Sequence, residues 1–187
     1  TQAGGEKQAE TSALLIEMGL KIRGRNDVKV KPASILRQCD RQMVAIGLRP
    51  FVEDYGTIIS LACGVGVQTV ADIFQDKIVY PMNDTMFMGS HDREVGEFTE
   101  LCKACGECIL HETGGICPVA RCAKALLNGP CGGFSKGKCE VGGWKNDCAW
   151  VLIFNRLKAR DRLDLFVKIR PPRDYRVSQS PRKLGGV

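Results

Sequence analysis

Apolar and polar positions along the first 80 residues alternate in short runs that predict helices and strands in turn. Ala9, Ala13 and Ile16 recur at helical spacing and Gly19 follows, so residues 4–19 read as a helix with a glycine cap. Residues 20–22 and 28–30 read as short strands. Ser34, in the turn Pro32-Ala33-Ser34, is positioned to cap a helix over 35–46. Residues 58–62 form a largely apolar run, as expected of a strand buried in a parallel sheet. A helix over about 67–74 and a strand over 78–80 follow. This alternation predicts an α/β fold: a small Rossmann- or flavodoxin-like parallel sheet over residues 1–92, its first strand expected upstream of Thr1.

Beyond residue 92 the periodicity gives way to cysteine and glycine. Residues 93–150 read as a cysteine-rich domain with short helices, and 151–187 as a C-terminal helix with an extended basic tail. Pro118 suits the first position of a helix over 119–127, which Asn128-Gly129-Pro130 ends. Asp147 is positioned to cap a helix starting at Cys148, with Trp150, Val151, Phe154, Leu157 and Leu163 on its apolar side. A second short helix over 163–166 stops before Pro171-Pro172. The polar, basic stretch 173–187 is expected to be extended, either disordered or laid over a partner.

Eight of the ten cysteines fall in one segment: Cys102, Cys105, Cys108, Cys117, Cys122, Cys131, Cys139 and Cys148. A disulfide framework suits small secreted domains, whereas a chain of 187 residues with 44% hydrophobic content can bury a core without one. Cysteines three apart also make strained loops when bridged to each other. Paired C-x2-C steps hold structural zinc. The triple C-x2-C-x2-C, followed after eight residues by Cys117-Pro118, partly matches the ferredoxin run, in which three close cysteines wrap one cubane. The close third thiol favours an iron–sulfur centre over zinc. Five residues along a helix turn a side chain by about 140°, so Cys117 and Cys122 are expected to serve different centres. Two sets of four give two [4Fe–4S] clusters; the alternative is one [4Fe–4S] cluster and one zinc.

The remaining signals are weaker. Gly64-x-Gly66 between strand and helix suggests a nucleotide turn, but Thr69 occupies the third glycine's place and Asp84 falls past the strand tip, so a tight packing turn is preferred. Cys39 and Cys63 read either as ordinary buried thiols or as a further metal site completed by cysteines upstream of Thr1. His91 and His111 lack the spacing of a zinc pair or catalytic dyad, and His111 reads as a solvated loop residue. The formal charge of +6 is partly a counterbalance for anionic centres. With aromatics at 6% and no recognition motif, nucleic acid is not an expected partner. No run of 18 apolar residues is present to span a membrane. No nucleophile–base or carboxylate pair stands in a recognisable catalytic setting.

The string T-G-G-I-C-P-V-A-R-C-A-K-A-L-L-N-G-P-C-G-G from Thr113, with G-K-C-E-V to Val141, C-A-W-V-L-I from Cys148 and I-R-P-P-R-D-Y to Tyr175, resembles the MetV family. A-G-G-E-K from Ala3, R-Q-C-D from Arg37 and S-L-A-C-G-V-G-V-Q from Ser60 extend the resemblance over nearly the whole chain. That family is the small iron–sulfur- or zinc-bearing subunit of methylenetetrahydrofolate reductases in acetogens and related microbes. In it, a cysteine-rich segment precedes the A-G-G-E string, where only Thr1-Gln2 stands here. The resemblance implies a cytoplasmic, non-catalytic subunit in one-carbon metabolism of the Wood–Ljungdahl kind. Its partner would be a flavin-containing TIM-barrel reductase subunit, and its electrons would come from a ferredoxin or a larger electron-transfer complex. Two functions follow from the same cysteines: electron transfer to the flavin, or a structural module that anchors and stabilises the catalytic subunit.

Overall fold

A computed structural model of the chain describes residues 5–92 and 94–183. It divides into two compact units, Thr1–Met86 and Phe87–Val187.

The first unit begins with α1 (Glu6–Ile22). The helix runs through Gly19 to Ile22, so the strand expected at 20–22 is helical, and Gly24, with φ 74°, takes the left-handed position beyond the end. Residues 28–30 form no strand either. The next helix, α2 (Arg41–Gly47), starts six residues later than the expected 35, because Asp40 and not Ser34 caps it. The Asp40 carboxylate accepts from the N–H groups of Gln42 and Met43, both at 3.0 Å. Residues 33–35 are instead used for packing: Ala33 and Ile35 lie against the core, and Ile35 fills the space beside Gly47. After α3 (Arg49–Val52), β1 (Thr57–Ser60), α4 (Gly64–Ile73) and β2 (Ile78–Pro81) form one parallel crossover unit, with Thr57 opposite Ile78 and Ser60 opposite Pro81. The sheet has two strands among the described residues. Val44, Leu48, Val52, Val70 and Phe74 form the core beneath it.

The turn into α4 is built for packing. A Cβ on Gly66 would lie 2.7 Å from the Ala62 Cβ and 2.9 Å from the Gln38 Cβ. Thr69 turns its hydroxyl back to the Val65 carbonyl at 2.8 Å. Thr85 accepts from the Gly64 N–H at 2.7 Å and Asn83 donates to the Leu61 carbonyl at 2.8 Å. Close approach of helix and neighbouring chain therefore accounts for Gly66.

The second unit opens with an antiparallel hairpin, β3 (Met88–Asp92) and β4 (Glu97–Cys102). Helix α5 (Pro118–Arg121) is a single turn rather than the expected helix over 119–127. Cys122 leaves helical geometry at φ −95°, ψ 121°, and Ala125 has φ 49°. The cause is tertiary: the chain bends so that the Leu126 carbonyl receives the Trp150 indole N–H at 2.9 Å. A small hairpin, β5 (Phe134–Ser135) and β6 (Lys138–Cys139), precedes α6 (Ala149–Ala159) and α7 (Leu163–Val167). Cys148 holds the cap position of α6 without a side-chain cap bond, because Asp147 is paired with Lys138 at 2.7 Å. Helix α6 buries Ala149, Trp150, Ile153 and Leu157; Ile153 replaces the expected Val151 and Phe154, and Phe154 meets Phe166 edge-on at 5.3 Å. Ile116, Trp150, Ile153 and Leu157 form the second core.

Arg170 joins three segments of this unit. Its guanidinium donates to the Glu112 carboxylate at 2.8 Å and to the carbonyls of Leu127, Leu165 and Glu112 at 3.1 to 3.3 Å. Its main chain exchanges two hydrogen bonds with the Asn128 amide. Beyond it the chain forms a short 3-10 turn, Tyr175–Ser178, capped by Asp174. Within the stretch expected to be disordered or laid over a partner, Arg173, Val177 and Arg182 contact residues 104–107 of the same unit. Among the described residues no helix is long and apolar enough to cross a membrane.

Candidate metal centre

All ten cysteines are free thiols. The triple Cys102, Cys105 and Cys108 begins at the end of β4, where the hairpin turns into a loop. Ala104 and Gly106 both have positive φ, 49° and 81°, so each short step between cysteines reverses the chain. The Ala104 N–H consequently donates to the Cys102 sulfur at 3.3 Å. Cys102 and Cys108 are exposed and Cys105 is half-buried.

Cys117 and Cys122 flank α5 as its two caps, both half-buried. The expected angular separation on a continuous helix no longer applies, since Cys122 is not helical. An antiparallel bridge between Lys138 and Asp147 sets Cys139 opposite Asn146 and Cys148 opposite Gly137, so the two cysteines lie on either side of the bridge. Main-chain bonds from Cys139 to Asn146 and from Cys148 to Gly137, both 2.8 Å, lock the pairing. Cys122 and Cys148 also pack against the core of Ile116, Trp150, Ile153 and Leu157.

Cys131 is exposed and has its own polar surroundings. The Gly133 N–H donates to its sulfur at 3.4 Å, and the Lys124 ammonium lies 3.5 Å away. Lys124 is also paired with Glu140, whose carboxylate is 4.0 Å from the sulfur. Glu140, and then the Cys131 sulfur, hold the Lys124 pKa above its ordinary value. A Cβ on Gly133 would come within 2.1 Å of the Glu140 carboxyl, so this glycine makes room for the pair. Nothing in cysteine spacing points to Lys124 or Glu140; their proximity arises from the turn at Ala125.

Thiols on short reversing loops, with main-chain N–H groups directed at two of the sulfurs, are the donor set a thiolate-bound metal or cluster takes. The chemistry of the donors therefore fits. Among the described residues, no three side chains of His, Cys, Asp or Glu converge on one point. In the first unit, Cys39 is exposed and Cys63 half-buried, so neither is the ordinary buried thiol of the expectation. Both line one cavity of about 700 Å³ with α1 and β1. His111 is exposed, as expected, 3.8 Å from Glu112.

A family model described as the C terminal of methylene-tetrahydrofolate reductase matches residues 80–176, a stretch that holds all eight clustered cysteines. No curated protein and no solved structure matches the chain.

Proposed function

The chain belongs to the methylene-tetrahydrofolate reductase C-terminal family, and on that premise we propose that it is the electron-transfer subunit of a methylenetetrahydrofolate reductase complex. The observation that carries this reading is the coincidence of the family match with the eight-cysteine segment. Within the family we read the chain as the MetV type. The first unit would be a Rossmann- or flavodoxin-like domain, of which β1, α4 and β2 form one crossover.

Cys102, Cys105, Cys108, Cys117, Cys122, Cys131, Cys139 and Cys148 would hold two [4Fe–4S] clusters, or one such cluster and one zinc. A bound cluster supplies one-electron carriage. The chain's own residues do the rest. The Ala104 and Gly133 N–H groups favour charged sulfur at Cys102 and Cys131, and Lys124 adds a cation beside Cys131. The partner would be a cytoplasmic, flavin-containing TIM-barrel reductase subunit, and the donor a ferredoxin or a larger electron-transfer complex.

A second reading is favoured by the packing of Cys122 and Cys148 on the core. There, zinc or an inert cluster would brace the fold, and the chain would anchor and stabilise the catalytic subunit without carrying electrons.

The deciding experiment combines metal analysis with one variant. Anaerobically purified protein should contain about eight iron and eight sulfide per chain, or about four iron with one zinc. Cys105→Ser should still assemble with the flavoprotein but fail to pass electrons to its flavin from a low-potential donor. Zinc alone, or unchanged flavin reduction in a variant verified to lack the cluster, supports the structural reading instead.

A further inference from the structure

We infer that the C-terminal arm, residues 171–183, is a positioning device for the triple-cysteine loop, with Arg173 and Arg182 as its working residues. The loop runs from Cys102 to Cys108, and three of its carbonyls are held by the arm. Arg173 donates to the carbonyls of Cys105 and Glu107, each at 3.3 Å. Arg182 donates to the carbonyl of Ala104 at 3.0 Å. Val177 packs closely over Gly106, whose φ is 81°: a Cβ there would lie 3.3 Å from the Val177 side chain.

The peptide group then fixes what lies on the other side. In a planar trans peptide, the C=O of one residue and the N–H of the next point in opposite directions. Holding the oxygens of Ala104, Cys105 and Glu107 on the arm therefore turns the N–H groups of Cys105, Gly106 and Cys108 away from it. Successive main-chain N–H groups turned to one side form a concavity suited to an anion. The anion class that this chemistry takes, beside three cysteines, is a thiolate-bound metal centre. The arm thus supplies no ligand; it presents the loop's donors.

The Arg173 side chain is 6% exposed, as expected of a group committed to this contact. Arg176, on the same arm, is 85% exposed and pairs with Asp174 instead, with no hydrogen bond to the loop among the described residues. It is the natural control, since its removal deletes one positive charge from the arm without releasing a loop carbonyl.

The purpose of the device rests on the function proposed above, but its geometry is tested without any metal. Amide hydrogen exchange across 102–108 is followed by NMR in the reduced, metal-free full chain, with alkylation rates of Cys102, Cys105 and Cys108 read in parallel. The double variant Arg173→Ala/Arg182→Ala should raise exchange of the Cys105, Gly106 and Cys108 amides by about tenfold. The single Arg182→Ala, which alters an exposed side chain, should raise Cys105 alone. Arg176→Ala should leave all three amides unchanged. Equal exchange in the wild type, Arg182→Ala and Arg176→Ala overturns the inference, whether or not the double variant folds. In protein carrying its centre, Arg182→Ala should also show a lower midpoint potential than the charge-matched Arg176→Ala. Equal potentials would overturn the positioning role. Absence of bound iron and zinc would instead count against the function, leaving the exchange result to decide the arm.

Discussion

Arg170 and Glu112, 58 residues apart in sequence, form a buried ion pair at 2.8 Å at the centre of the cysteine-bearing unit. The same guanidinium donates to three carbonyls and lies 5.8 Å from the Trp150 ring. Lys168 reaches the second oxygen of the Glu112 carboxylate. The pair therefore ties the 109–116 loop, the 126–128 bend and the end of α7 into one body, and the cysteines at 108, 117, 122 and 131 hang from these segments.

Removing Arg170 leaves Glu112 with Lys168 as its remaining counter-ion and strips the donor from three carbonyls inside the unit. Arg170→Ala should destabilise the chain by about 3–5 kcal/mol, measured by urea unfolding. Glu112→Gln keeps a neutral acceptor and should cost less, about 1–3 kcal/mol. A double variant, Glu112→Gln/Arg170→Ala, should fall short of the sum, because the two groups share one interaction.

Stability should also depend on acid in a defined window. Lys168, followed by Arg170, holds the Glu112 carboxyl below its usual value of 4.5, although burial acts the other way. A depressed carboxyl contributes fully above its unfolded pKa and loses that contribution as pH falls through the folded one. Unfolding free energy should thus decline from about pH 4.5 downward, and the slope should be shallower in Glu112→Gln. An identical acid limb in wild type and variant would show that other carboxylates govern it.

The register of α6 makes a sharper test. Ile153 is fully buried whereas Phe154 sits at the margin against Phe166. Ile153→Ala should cost about 2–5 kcal/mol. Phe154→Ala, although it removes more atoms, should cost less, about 1 kcal/mol, since the edge-on contact is its main interaction. The reverse order in chemical denaturation would contradict the helix register.

Gly66→Ala should destabilise the first unit by about 1–3 kcal/mol, through collision with the Ala62 and Gln38 side chains. The loss should be the same with and without added dinucleotide in thermal unfolding. Protection by the dinucleotide in the wild type alone would restore the nucleotide reading of that turn.

The β1, α4 and β2 elements were legible because each is short, strongly apolar and punctuated by glycine or a turn. So was α6, where Trp150 and Leu157 marked the buried side, yet the choice of Phe154 over Ile153 went astray. Both lie near one face, and only the position of Phe166 decides between them. Local capping signals misled twice. Ser34 and Asp147 are good cap residues, but the 33–35 stretch is needed for packing and Asp147 for Lys138. The clustering of eight cysteines is plain in the sequence. Their surroundings are not, because Lys124, Glu140, Arg173 and Arg182 reach the thiol-bearing loops through bends that carry no local pattern.

The contacts between the arm and the triple-cysteine loop join residues 66 to 78 positions apart. A ribosome delivers the loop before its clasp, so during synthesis the thiols are present well before the groups that hold their backbone in place. Closing so long a segment carries an entropic cost that only a chain extended through Arg182 can offset. The order of manufacture thereby makes the arm a checkpoint: a chain cut before Arg173 would carry every candidate ligand and still lack the groups that clasp the loop.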